Sequence, residues 1–171
     1  DVGSTFNVAS GVTLTSDFVY NRTDCSVILL GTGSLDINST CAIIPEADAT
    51  FTMNSGTLYC NGNLGGNTSA TFNAGTGTVV LDGSTSTEIT ATYSFYNLTI
   101  AKDATDDIVT CNDADDDITV TNNLVITEGT LQPTLADLTV NGTTTITDGE
   151  LIGGAAAMTL TGNVTMNNDA Y

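Results

Sequence analysis

Four cysteines, a run of aspartates and six Asn-x-Ser/Thr triplets are the residues of this chain that could do chemistry. Asp103, Asp106, Asp107, Asp113, Asp115, Asp116 and Asp117 place seven carboxylates within fifteen residues, and oxygen ligands at that density can hold Ca²⁺. Asp113, Asp115, Asp116 and Asp117 are the calcium candidates. Their spacing lacks the glycine and terminal glutamate of an EF-hand loop and the GGxGxDxUx nonapeptide of calcium β-rolls, so a solvated acidic surface loop is the competing reading. No other cofactor is implied. Cys25, Cys41, Cys60 and Cys111 are neither clustered nor spaced as C-x-x-C, which argues against zinc and leaves inert core thiols or disulfides. Asn21, Asn38, Asn67, Asn97, Asn141 and Asn163 are glycan acceptors in sequence. With 16 Asn and 44 Ser or Thr in the chain, about four such triplets arise by chance.

What is missing excludes more than what is present suggests. The chain has no histidine, which removes Ser-His-Asp and Cys-His catalysis and the commonest zinc ligand. Its 20 acidic residues face only Arg22 and Lys102, for a net charge of -18. Two cations cannot neutralise a phosphate backbone, so nucleic acid is excluded as a partner, and an anionic membrane surface likewise. No apolar run approaches the roughly 20 residues of a membrane span, so no membrane insertion is expected. The apolar content of 40% argues against disorder. Thirty-three Thr with 17 Gly and 2 Pro point to strands joined by tight turns.

The elements that must position these residues repeat at a fixed offset. Ile118-Thr119-Val120 lies over Leu138-Thr139-Val140 and Met158-Thr159-Leu160, twenty residues apart each time. The same start is found at Leu98-Thr99-Ile100, Val79-Val80-Leu81, Leu58-Tyr59-Cys60, Leu35-Asp36-Ile37 and Val12-Thr13-Leu14. First and third positions are apolar in every copy, the alternation of a half-buried strand. A twenty-residue unit has no room for its own core, so it must bury its apolar face against the next copy. The expected fold is all-β: a single-domain parallel β-helix over residues 1–171, of about eight coils of 19–23 residues, with longer irregular coils in 1–55 and regular ones in 56–171. Coils about 4.8 Å apart would make a rod of about 38 Å. A β-sandwich is the alternative, but hairpins give no reason for one motif to recur at twenty. All four cysteines fall in inward columns. Cys25 with Cys41 is the favoured disulfide, leaving Cys60 with Cys111, a pair separated by two coils or about 10 Å, beyond ordinary disulfide reach.

The stretch GTGTVVLDGSTSTEITATYSFYNLTIA, Gly75 to Ala101, followed by LTVNG- and LTLTG-like units, resembles the β-helical repeats of large adhesin-like cell-surface proteins of bacteria and archaea. The resemblance covers most of residues 56–168 and implies an extracellular location with a structural or adhesive task. Polysaccharide lyases and hydrolases also use β-helices, but so acidic a chain repels polyuronate, and no catalytic residue is assigned. The outward threonines make one row, interrupted by Val80, Tyr59 and Asp36, a poor match to an ice lattice.

A β-helix exposes unpaired backbone at both ends unless a cap covers them, and no capping pattern is evident at either. The expected function is therefore non-enzymatic: a secreted subunit of an extracellular filament or sheath that self-associates into a homopolymer by stacking its ends. Phe6 and Val8 of one copy would face Met158, Leu160, Val164 and Met166 of another. By coil phase, Tyr171 lies on the column of Leu131 and Leu151, and Asp1 falls near the azimuth where Tyr171 stops, so a second copy could continue the coil. A stalk segment of a larger surface adhesin is the alternative.

Overall fold

The computed structural model describes residues 3–167 apart from 18, 21, 23, 40, 45 and 68, and only the backbone of 19, 20 and 41–44. The described residues form strands and turns wound into a parallel β-solenoid of about 7 turns. Three sheets make its faces. The first holds β1 (Thr5–Val8), β4 (Ser26–Leu29), β7 (Thr50–Thr52) and β10 (Thr71–Asn73). The second runs through β2 (Thr13–Ser16), β5 (Ser34–Ile37), β8 (Thr57–Cys60), β11 (Thr78–Gly83), β13 (Tyr93–Lys102), β15 (Ile118–Glu128), β17 (Leu138–Val140) and β20 (Met158–Leu160), with β18 (Thr143–Ile146) and β21 (Val164–Met166) alongside. The third holds β3 (Val19–Tyr20), β6 (Cys41–Ile44), β9 (Leu64–Gly66), β12 (Thr87–Thr90), β14 (Ile108–Thr110), β16 (Thr130–Gln132) and β19 (Glu150–Leu151).

Period-2 alternation is what makes each segment a strand of such a wall. In β5 and β8 every second residue is buried, and in β17 Leu138 and Val140 are buried while Thr139 stands half-exposed between them. Leu98, Ile100, Ile118 and Val120 are buried, and Thr99 and Thr119 face outward, as the alternation predicts. One inward column of the second face reads Leu14, Leu35, Leu58, Val79, Leu98, Leu124, Thr144 and Val164. The first face stacks Phe6, Val27, Phe51 and Phe72. Its column continues where Phe72 packs on Tyr93 and Phe95, with ring centroids 5.2 and 5.9 Å apart, and then through Ile118, Leu138 and Met158.

The register differs from the expected one at two places. Leu14, not Val12, lies beside Leu35, because the chain turns at Ser10–Gly11, held by the Val12 N–H donating to the Ala9 carbonyl. Leu98 lies beside Leu124 rather than Ile118, which instead pairs with Tyr93. The two LTV-like series thus belong to different faces. The cause is β13, a strand of 10 residues that turns a corner between Phe95 and Asn97, so that one continuous strand serves both faces. The solenoid has about 7 turns where about eight coils were expected, and the longest of them carries the acidic stretch between Lys102 and Ile118.

Candidate functional site: the two end faces

Inside the stack the aspartate-rich stretch is built into the wall. Asp117 Oδ1 accepts the Asp137 N–H at 3.0 Å, and Asp137 Oδ1 accepts the Ala157 N–H at 2.8 Å, so two carboxylates cap strand starts in successive coils. Asp113 Oδ1 accepts the Asp115 N–H, closing a local turn. Asp116 sits half-buried, and its carboxyl is raised above the ordinary range by burial first, then by Asp113 and Asp115. Among the described residues no three acidic or cysteine side chains converge as a metal site. The calcium candidates are therefore not brought together, and two of them, Asp113 and Asp117, are engaged with backbone.

The cysteine pairings change. Cys25 and Cys111 are both thiols, so neither the Cys25–Cys41 nor the Cys60–Cys111 link forms. Cys60 is buried and disulfide-bonded, and the side chain of Cys41 lies outside the described residues. Cys111 donates to the Asp116 and Ile89 carbonyls at 2.9 and 3.3 Å. Burial and the nearby carboxylates, Asp116 first among them, push its thiol up to about 12. It acts as a small core residue.

Of the sequon asparagines, Asn38, Asn141 and Asn163 are exposed and Asn67 is half-buried. Asn97 is held in a ladder, its Nδ2 donating to Thr78 Oγ1 and its Oδ1 accepting from Asn122 Nδ2 at 2.9 Å. That commitment disfavours a glycan there. Asn21 lies outside the described residues.

Sequence reading gave no role to Lys102. It is buried, with Nζ donating to Thr87 Oγ1 at 2.6 Å and to the Asp82 carbonyl at 2.5 Å. Burial lowers its pKa while Asp82, Asp107 and Asp103 oppose that shift. The signal was the break of alternation at the end of β13, where a cation follows Ile100-Ala101. Lys102 is a crosspiece between coils.

Among the described residues, exposed large apolar side chains stand in the first and last coils and also at Leu30 and Leu135. β1, β2 and β3 pair only with β4, β5 and β6, and β19, β20 and β21 only with β16, β17 and β18. Each end therefore presents a rim of backbone groups with one side unpaired among the described residues. The side chains there are apolar yet open: Phe6 is 50% and Leu14 37% exposed at one end, Val164 49% and Met166 74% at the other. Val8 is buried, and Met158 and Leu160 are partly buried. The same columns one coil further in are closed, with Leu35 and Leu138 fully buried. Beside Met166 lies an open recess of about 710 Å³ that Ile146, Leu151 and Ile152 help to line.

The fold is a parallel β-solenoid of about 7 turns, and among the described residues exposed apolar side chains stand in its first and last described coils. No known protein family, curated protein or solved structure matches the chain.

Proposed function

We propose that the protein is a non-enzymatic structural element, a secreted subunit of an extracellular filament or sheath that grows by stacking solenoid ends. The observation that supports the reading lies in the first and last described coils, where among the described residues β1–β3 and β19–β21 are paired on one side only and Phe6, Leu14, Val164 and Met166 are exposed. Exposed edges of this kind template pairing with another chain, and proteins that stay monomeric usually blunt or cover them. One of the two cations is buried, and no histidine is present. The disulfide at Cys60 fits an oxidising compartment. Glycans, where attached, belong on Asn38, Asn141 or Asn163, all exposed.

The repeats resembling cell-surface adhesins favour a second reading, a stalk in which the same rims carry further coils of a longer chain. Electron microscopy and light scattering on the 171-residue chain test the filament reading. Linear polymers whose width matches a single solenoid are expected, and Val164→Asp with Met166→Asp should abolish them while leaving the strand signal in circular dichroism. A stable monomer at high concentration, with amides of both terminal coils exchanging as slowly as those of the middle, would overturn it. The mass of the native chain separates subunit from stalk.

A further inference from the structure

We propose that the Asn141-Gly142 corner is a site of spontaneous covalent modification, where Asn141 loses its side-chain amide and becomes aspartate or isoaspartate, while Asn61-Gly62, the other Asn-Gly pair of the chain, is protected. The reaction is independent of the filament reading and needs no partner but water. Hydroxide takes the proton of the Gly142 N–H, and the freed nitrogen attacks Asn141 Cγ. The Cγ–Nδ2 bond breaks as Nδ2 takes a proton from water and leaves as ammonia, and a cyclic imide remains. Water then opens the imide at one carbonyl carbon to give aspartate, or at the other to give isoaspartate, whose main chain runs through Cβ and Cγ. Glycine suits the step because no Cβ shields its nitrogen.

The two pairs sit alike in the solenoid and differ where the chemistry is decided. Asn141 lies at the corner between β17 and β18, strands with neighbours on both sides, and Asn61 follows β8, which has β5 and β11 beside it. At each, a threonine hydroxyl from the next coil donates to the asparagine carbonyl at 2.9 Å, Thr161 Oγ1 at Asn141 and Thr85 Oγ1 at Asn61. That carbonyl belongs to the peptide group whose nitrogen must give up its proton, and a hydrogen bond to it stabilises the resulting anion. The nucleophiles differ. The Gly62 N–H donates to the Ser39 carbonyl at 3.0 Å, whereas among the described residues the Gly142 N–H has no acceptor. A bond of ordinary net strength, which Gly62 must break before it attacks, slows the step by about 2- to 12-fold. The amides differ too. Asn61 is half-buried, its Oδ1 accepts from Thr85 Oγ1 at 3.4 Å, and a Cβ at Gly83 would clash with its amide, so that side chain is packed in place. Asn141 is exposed. Its conversion adds a carboxylate to a chain of net charge -18, and the isoaspartate form lengthens the main chain at the corner that sets β18 relative to β17.

Trypsin separates the two sites, because Arg22 and Lys102 are the only basic residues, so Asn61 falls in fragment 23–102 and Asn141 in fragment 103–171. Asn141 also heads a sequon, and a sugar on its Nδ2 would block the reaction, so the test uses the 171-residue chain free of glycan. The folded chain is kept warm at mildly alkaline pH, digested after denaturation, and each asparagine followed by fragmentation mass spectrometry. Aspartate and isoaspartate should accumulate at 141 several-fold faster than at 61, with a rate that rises in proportion to hydroxide. In denaturant, where both glycine nitrogens are free, the two rates should converge. An Asn141 that stays intact in the folded chain, loss at Asn61 as fast as or faster than at Asn141, or a rate ratio unchanged by unfolding would overturn the assignment.

Discussion

Asp116 stands two residues before Ile118, as Ala91 stands before Tyr93 and Ala136 before Leu138, and these three positions follow one column by the register of the strands they precede. Ala91 and Ala136 are buried, whereas Asp116 is a half-buried carboxylate beside Asp113, Asp115, Glu88 and Asp117. Its side chain is costly there, since burial and like charge both disfavour ionisation. Asp116→Ala, which restores the alanine of its column, should raise the melting temperature by about 2–4 °C at neutral pH, read by circular dichroism. A fall would mean that the carboxylate holds the loop through a contact other than its backbone bonds.

Thr144 poses a related question. Its Oγ1 is buried without a hydrogen-bond partner in the column between Leu124 and Val164. A buried unsatisfied hydroxyl costs roughly 1–3 kcal/mol, so Thr144→Val should stabilise, by about 1 kcal/mol in urea unfolding. Cysteine chemistry gives a further check. In the unreduced chain, Cys111 should resist alkylation until the chain is denatured, since burial and the adjacent carboxylates keep it a neutral thiol. A digest should hold Cys60 in a disulfide-linked peptide and leave Cys25 and Cys111 out of it. A peptide joining Cys60 to Cys111 would contradict the packing around both.

At the scale of elements, alternation and recurrence were legible because every strand must bury alternate residues against the coils beside it. The triplets starting at Leu35, Leu58, Val79 and Leu98 stack as the repeats imply. The triplets starting at Ile118, Leu138 and Met158 stack equally well among themselves. Their relation to each other was not legible. Leu98 and Ile118 are twenty residues apart with the same local pattern, and only the corner at Phe95–Asn97 decides that they lie on different faces. Nothing local distinguishes Phe95-Tyr96-Asn97 from uninterrupted strand, whereas the aromatic group of Phe51, Phe72, Tyr93 and Phe95 settles the matter by packing across coils. Phe6, Leu14, Val164 and Met166 were legible as strand residues, and their column partners required the pairing. Val140, closed in by coils on both sides, tests the wall itself: Val140→Ala should cost about 1–3 kcal/mol in denaturant unfolding, and a change within 0.5 kcal/mol, the usual range for surface positions, would mean that this column is not core.

Over the whole molecule the dominant quantity is charge. A net charge of -18 on 171 residues sets like charges against one another along every face, and self-repulsion of this kind weakens the compact state. Asp82 and Asp116 add to it locally. Burial is the largest cause of the upward shift at both, joined at Asp82 by Asp36, with Lys102 pulling the other way. A carboxyl whose folded pKa lies above its unfolded value favours the folded state when protonated. That contribution is present below the unfolded pKa, near 3.8 for these groups, and is lost as pH rises through the folded one. Mild acid should therefore stabilise: the melting temperature at about pH 4.5, just above the ordinary carboxylate range, should exceed that at about pH 7.5. Screening should act in the same direction, because most of these carboxylates are solvent-facing and interact through water. At neutral pH, raising NaCl should therefore raise the melting temperature, since folding brings acidic coils together, and on the proposed filament reading it should also increase the polymer fraction that sediments. CaCl₂ at matched ionic strength should do no more than NaCl if the aspartates act as a diffuse field. A rise specific to Ca²⁺, saturating at millimolar concentration as extracellular calcium modules do, would instead mean that carboxylates of this chain converge on the ion.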